Sequence, residues 1–331
     1  MNAGDVIFLS PRDVRSLLSV EDCISAVEEA FRLYGEGKAQ PPGVLGLHVD
    51  GGGFHIKAGM LDLRKQYFAA KVNGNFPGNP SRFGLPTIQG VIVLCDAEKG
   101  TPLAVMDSRD VTSLRTAAAT AVAARYLARP ASQTVTICGC GEQAGHQLRA
   151  LAHIFNLRSV LAFDATVERA TRFADGLSSE LHLAIRPVNE LRPAVAQSDI
   201  CVTCTPSHQP FLGADDVAEG TFVAAVGADS ANKSEIDPTL MSKAKVVCDV
   251  REQCAAIGDL HHALESGAMR RADVFAELGA IVAGKMPGRE ADKEITIFDS
   301  TGMALQDVAA ATVVYEKALR QNAGTWLNMA A

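Results

Sequence analysis

The stretch TVTICGCGEQAGHQLRALAHI, residues 134–154, changes its periodicity in the middle. Thr134 to Cys138 is a short β-branched run that reads as a buried strand, and from Glu142 onward the apolar residues recur at helical spacing. Between them Gly139-Cys140-Gly141-Glu142-Gln143-Ala144 spells GxGxxA. In such a turn the first glycine makes the tight bend, the second lets a pyrophosphate approach the backbone, and Ala144 keeps helix and strand close. The helix start offers free N–H groups to phosphates. Gly139, Gly141, Glu142, Gln143 and Ala144 are therefore candidate cofactor contacts. Asp164 ends the next strand, in VLAFDATVERA, 20 residues beyond Ala144. A carboxylate there accepts hydrogen bonds from ribose hydroxyls and repels a 2′-phosphate, which points to NAD(H) rather than NADP(H).

The same alternation extends outward. TVTIC (134–138), SVLAF (159–163), DICVTCT (199–205), TFVAAVG (221–227), KVVCD (245–249) and EITIFD (294–299) are strand candidates separated by helical runs. That order predicts a Rossmann-type, doubly wound parallel sheet with helices on both faces. Before it, SRDVTSLRTAAATAVAARYLARP reads as a long Ala-rich helix stopped by Pro130. The first ~105 residues are different in kind. SVEDCISAVEEAFRLYGEG is an amphipathic helix that Ser19 can cap. GVLGLHVDGGGFHIKAGM alternates around Gly51–Gly53 like a β-hairpin, and YFAAKVNGNF and LPTIQGVIVLCDAEKGTPLAVMD continue as strands. The expectation is one helix on a mostly antiparallel sheet, with the last helix, ALQDVAAATVVYEKALRQ, returning to it. The expected division is 1–112 with 305–331 as an α+β substrate-binding and dimerisation domain, and 113–304 as the NAD-binding domain.

The 331 residues suffice for two domains at roughly 100–200 residues each. A net charge of −7 and the absence of any basic run longer than two residues argue against nucleic acid. No basic leader precedes a long apolar stretch, and no window of about 18 apolar residues predicts a membrane span. The eight cysteines are scattered through apolar segments, as expected of reduced thiols in a cytoplasmic protein.

Other candidates are weaker. Cys201 and Cys204 are spaced like half a zinc site, but they fall inside an apolar strand with no second pair, so they read as core thiols and no metal is expected. Cys138 and Cys140 read the same way. His261 and His262 are adjacent on a helix, about 100° apart, which disfavours one shared metal. His55 and Lys57 face the same way on one strand, either lining a pocket or sitting on a polar sheet face. Lys57, Lys71, Arg115 and Asp229 are the charges that could carry chemistry. Asp229 follows the strand FVAAVG at its C-terminal end, where open parallel sheets bind ligands.

Nearly the full chain resembles the ornithine cyclodeaminase/μ-crystallin family. The resemblance rests on AAKVNGNFPGNP, GLPTIQGVIVLCDAEKGTPLAVMD, LRTAAATAVAARYLARP, GCGEQA, VGADSANKSEID, FAELGAIVAGKMPGR and ITIFDSTGMALQD. It implies a homodimer that binds a nicotinamide dinucleotide and transfers hydride at a carbon bonded to nitrogen and next to a carboxylate. It implies that Lys71 contacts the substrate carboxylate, that Arg115 binds a carboxylate or the pyrophosphate, and that Asp229 is the acid/base at the reacting nitrogen. It adds Thr87, Gln143, Thr205, Val226, Gly227, Lys233 and Ser300 as cofactor contacts. Cyclodeaminases of the family carry an arginine where this chain has PPGVLGLH, and residues 33–63 contain none. The resemblance implies that Lys57 takes over that charge, and the change points away from ornithine. The expected activity is reduction of a small imino acid of ketimine, pyrroline-2-carboxylate or iminosuccinate type. The alternatives are ornithine cyclodeamination with NAD regenerated, and a crystallin-like ligand-binding protein without catalysis.

Overall fold

The computed structural model describes residues 4–329. The chain divides into two compact units: one runs up to Arg115 and resumes at Met303, and the other is Thr116–Gly302.

The first unit begins with strand β1 (Asp5–Leu9) and helices Pro11–Leu17 and Val20–Gly35. Two helices thus stand where the sequence suggested one. The longer starts as expected, with Ser19 Oγ accepting from Asp22 N at 3.2 Å, and it buries Ile24, Val27, Ala30 and Phe31 along one stripe. Strands β2 (Gly43–Val49), β3 (Gly52–Asp62), β4 (Gln66–Asn75), β5 (Ile88–Asp96) and β6 (Pro102–Asp107) follow as an antiparallel meander, while β1 joins β6 in parallel.

The Ala-rich helix Arg109–Leu127 leads into the second unit. There the strands are β7 (Thr134–Cys138), β8 (Ser159–Phe163), β9 (Ala184–Val188), β10 (Ile200–Thr203), β11 (His208–Leu212), β12 (Phe222–Ala225), β13 (Ser234–Ile236), β14 (Lys245–Cys248), β15 (Ala276–Glu277) and β16 (Thr296–Asp299). Eight of them form one parallel sheet in the order β15-β14-β16-β12-β10-β7-β8-β9, and β11 pairs with β13 apart from it. From β7 the chain winds outward to β9, then returns to β10 on the other side. The carboxyl ends of β7 and β10 therefore diverge into a crevice, the ligand position of open α/β sheets. Central strands β7, β10, β12 and β16 are buried on both faces, which explains their unbroken apolar runs.

The first unit closes with helix Ala304–Gln321 and β17 (Thr325–Asn328), which pairs antiparallel with β1. That helix packs with Val20–Gly35 on one face of the seven-stranded sheet, over Ile7, Leu61, Tyr67, Ile92, Leu94 and Met106. The pairing register puts Phe8, Leu45, Leu47, Phe54, Met60, Phe68 and Val91 together on the opposite face, each more than a third exposed. No helix among the described residues is long and apolar enough to cross a membrane.

Candidate functional site

In the second unit a cavity of about 540 Å³ opens at the β7/β10 crevice. Gly139, Gly141, Asp164, Arg169, Thr205 and Phe211 are among its lining residues. Gly139 has a φ of 91°, and a Cβ there would sit 2.7 Å from Thr205 Cγ2 and 2.9 Å from Cys204 O. Only glycine fits. At Gly141 a Cβ would meet nothing within 4 Å, so the space above the turn is open. Helix Glu142–Ile154 starts at Gly141 without a side-chain cap. Its first N–H groups are left for a ligand such as phosphate. Gln143 Oε1 is buried without a hydrogen-bond partner, while Ala144 is fully buried and keeps the helix close to the sheet. Asp164 accepts from Cys140 N and from Thr166 N at 2.9 Å each, which ties it to the glycine turn. The chemistry of these groups fits a nicotinamide dinucleotide: amides for phosphate, a carboxylate for ribose, and an apolar wall with Phe163 and Phe211 for a base.

Thr205 does not stand alone. Its N and Oγ1 donate to Glu235 Oε1 at 2.6 and 2.7 Å, and Gly227 N donates to Glu235 Oε2 at 2.9 Å. Glu235, on β13, is fully buried, and burial with the nearby Asp259 raises its carboxyl to about 7. Val226 N donates to Thr203 O at 3.0 Å, fixing the other side of this turn. Asp229 lies beyond Gly227, half exposed, paired with Lys233 Nζ at 2.6 Å. Ser300 is buried at the end of β16, where its hydroxyl donates to Asp249 at 3.1 Å.

The first unit holds a separate charge cluster. Lys57 and Lys71 are direct cross-strand partners on β3 and β4, on the helix-covered face. Lys71 is 3% exposed, and its Nζ lies 2.9 and 2.8 Å from the two oxygens of Asp307 on helix Ala304–Gln321. Arg115 Nε donates to the same carboxylate at 3.0 Å, and Arg115 Nη1 to Gln306 Oε1 at 2.9 Å. Burial drives the Lys71 ammonium down to about 7 against the pull of Asp307, with Arg115 and Lys57 pushing the same way. One carboxylate thus sits among three cations, and the surplus positive charge suits an anionic ligand. The structure brings Lys57, Lys71 and Arg115 together, whereas Asp229 belongs to the other unit. Thr87, also in the first unit, accepts from Phe76 N at 2.8 Å through its carbonyl.

Sequence reasoning missed Asp307 and Glu235. Each is an isolated acid in its own segment, and its role depends on partners from other elements: Lys71 and Arg115, more than 190 residues away, for Asp307, and Thr203, Thr205 and Gly227, between 8 and 32 residues away, for Glu235. Two other expectations need correction. Cys204 lies past the end of β10, lining the cavity and donating to Gly139 O at 3.1 Å, because the strand stops at Thr203. His261 and His262 come closer than their helical spacing suggests: their rings stack edge-to-face at 5.1 Å, and with Glu265 they offer ligand atoms within 4.8 Å of one another. His262 Nε2 is nonetheless engaged with Lys233 O at 2.8 Å.

The sequence profile of the ornithine cyclodeaminase/mu-crystallin family matches residues 5–322. An alanine dehydrogenase from Archaeoglobus fulgidus is 42% identical over 322 residues, covering 97% of this chain and 98% of that one. A solved archaeal alanine dehydrogenase dimer with bound NAD superposes with a TM-score of 0.94 at 41% identity, over 98% of this chain and 99% of that one. The Thermococcus litoralis Delta(1)-pyrroline-2-carboxylate reductase, solved with NADH and L-proline, gives 0.93 at 34% identity, over 96% and 99% of the two chains.

Proposed function

The chain belongs to the ornithine cyclodeaminase/mu-crystallin family, and we propose that within it the protein is a cytoplasmic, homodimeric NAD(H)-dependent oxidoreductase that reduces a small imino acid to the amino acid. The observation that carries this reading is the buried pair of cations, Lys71 and Arg115, that share the single carboxylate of Asp307 beside the half-buried Lys57, an arrangement that suits a substrate carboxylate. When bound, the nicotinamide supplies the hydride. The chain's own residues do the rest. Lys71 orients the carboxylate on a rigid strand, and with its proton held loosely by burial it can also give that proton up. Asp229 holds or moves the proton at the reacting nitrogen. The cluster's positive surplus disfavours a substrate with a second ammonium, which, together with the missing arginine between residues 33 and 63, sets ornithine aside. The two relatives named for alanine and for pyrroline-2-carboxylate bracket the substrate class: acyclic and cyclic imines beside a carboxylate.

NADH consumption measured across 2-oxo acids with ammonia or methylamine, and across cyclic imines, tests the proposal. Ornithine-to-proline conversion runs alongside. Net oxidation of NADH by an imine is the expected result. Proline formation from ornithine without net NADH turnover establishes the cyclodeaminase, and no turnover with any substrate establishes a binding protein.

Two further results are expected. NADH should be preferred over NADPH because Asp164 stands where the ribose hydroxyls would lie. Asp164→Ser should narrow the gap, and a kcat/KM for NADPH equal to or above that for NADH in the unaltered enzyme overturns the assignment. The second concerns assembly. The apolar sheet face bearing Leu47, Phe54, Met60 and Phe68 is too large to leave in water, and a second copy of the same unit covers it. Light scattering should give a mass about twice 34.9 kDa. Phe68→Glu should shift it toward the monomer, and a monomeric mass for the unaltered chain refutes the assembly.

A further inference from the structure

Glu235 is a carboxylate with every acceptor position filled. Thr205 N and Thr205 Oγ1 donate to Oε1, and Thr203 Oγ1, at 2.7 Å, and Gly227 N donate to Oε2. An ionised carboxylate offers about four lone-pair sites, so it is saturated by donors from the last residue of β10 and from the loops after β10 and β12. Two of these donors are backbone N–H groups, which cannot turn around. The Thr205 hydroxyl also accepts from Ser207 N at 3.1 Å while donating to Glu235, so turning it disturbs the loop after β10 as well. The fit is also steric: a Cβ on Gly227 would come within 2.5 Å of all three carboxyl atoms. Nothing smaller than the absent side chain lets the β12 loop approach this closely.

Resting on the reading of the crevice as the dinucleotide site, we infer that Glu235 is a positioning residue for the cofactor: its ionised carboxylate sets Thr205 and Gly227 in the arrangement that receives the dinucleotide. It does not itself reach the cavity. Protonation removes one lone pair, and a donor must then be displaced. Only the two threonine hydroxyls can respond, and Thr205 is the one that lines the cavity.

The surroundings make this proton available near neutral pH. Burial and Asp259 raise the Glu235 carboxyl from an ordinary 4.5 to about 7. The other titratable groups that face it are the thiols of Cys138 and Cys204, both held protonated well above their usual range, Cys138 first by its hydrogen bond with Cys201 and then by burial, Cys204 by burial. Asp259 is itself raised by burial, with His262 opposing. A carboxyl raised on folding stabilises the empty protein most below about 4.5, and that contribution is lost as pH rises to about 7. Cofactor affinity should run the other way, gained as pH rises through about 7, because the receptive arrangement requires the ionised form.

The test is NADH titration by calorimetry at about pH 6 and about pH 8, with thermal melting of the empty protein at the same values. The unaltered protein is expected to bind NADH about tenfold more tightly at the higher pH while melting at a lower temperature. Glu235→Gln places an amide N–H against backbone donors and should weaken NADH about 10- to 100-fold, with the pH dependence flattened. Glu235→Asp, which keeps the charge, should keep the pH dependence. Unchanged affinity in a folded Glu235→Gln protein overturns the proposal, as does a pH-independent affinity in the unaltered protein, which needs no variant to be read. If the unaltered protein binds no NADH at any pH, the dinucleotide reading fails, and this inference fails with it.

Discussion

Lys71→Ala should lower kcat/KM for the imino acid by about 30- to 4,000-fold, corresponding to about 2–5 kcal/mol, with NADH affinity nearly unchanged. The physical reason lies in where the cation sits. Lys71 is buried beside Asp307, on a strand whose neighbours fix its backbone. A substrate carboxylate meeting it is desolvated on arrival, and loss of one partner of such a pair leaves the other without compensation. Arg115 continues to pair with Asp307 in the variant, so the fold should survive. Lys71→Met, which retains the volume, separates lost packing from lost charge. The pH profile adds a second readout. A Lys71 that must carry a proton to hold or protonate the substrate loses it as pH rises through about 7, so the reductive rate should fall on that side. That limb should vanish in Lys71→Met. Equal losses of NADH and substrate affinity show instead that Lys71 faces the cofactor or serves the fold.

Asp229→Asn should lower kcat by about 10²- to 10⁴-fold while NADH still binds. Asparagine keeps the shape and polarity of the side chain and removes its charge and its proton chemistry. Stability should change by no more than about 0–1 kcal/mol, since the pair that Asp229 makes with Lys233 is partly exposed. A turn-forming role alone predicts a different outcome, because asparagine serves a turn as well as aspartate does, and kcat would then stay within a few-fold of the unaltered enzyme. Lys233→Met provides the companion measurement. If Lys233 orients Asp229, its loss should lower kcat less than Asp229→Asn does.

The parts of the fold legible in the sequence are those whose neighbours are near in the chain or whose burial is complete. The GxGxxA turn, the Ser19 cap and the β2–β3 hairpin are local, though the hairpin's turn falls at Asp50–Gly51 rather than Gly51–Gly53 because Gly52 and Gly53 already pair with Val49 and His48, and β7, β10, β12 and β16 announce themselves because both faces are apolar. Strand β9 was invisible: it is the sheet's edge, mostly exposed, and carries Pro187, which an edge tolerates. The pairing of β1 with β17 was also hidden, since it joins the two ends of the chain. In the candidate site, spacing suggested the glycine turn and Asp164, position at the end of a parallel strand suggested Asp229, and Lys71 and Arg115 took on a role only through family resemblance. Asp307 and Glu235 escaped both routes. Asp307 is one acid in an alanine-rich helix, and its meaning comes entirely from Lys71 and Arg115, which are far away in sequence.

The Glu235 arrangement bears on transplantation of this crevice into other sheets. The turns after β10 and β12 contain backbone N–H groups whose acceptor comes from β13, and the N–H groups of Glu235 and Ile236 in turn donate to Asp259 at 2.8 and 3.0 Å. A graft of either turn alone would carry its donors into a new host without their carboxylate. The smallest portable module is therefore discontinuous, made of residues 203–207, 225–227, 234–236 and 259, and a swap confined to any one of these segments should unravel at the others first.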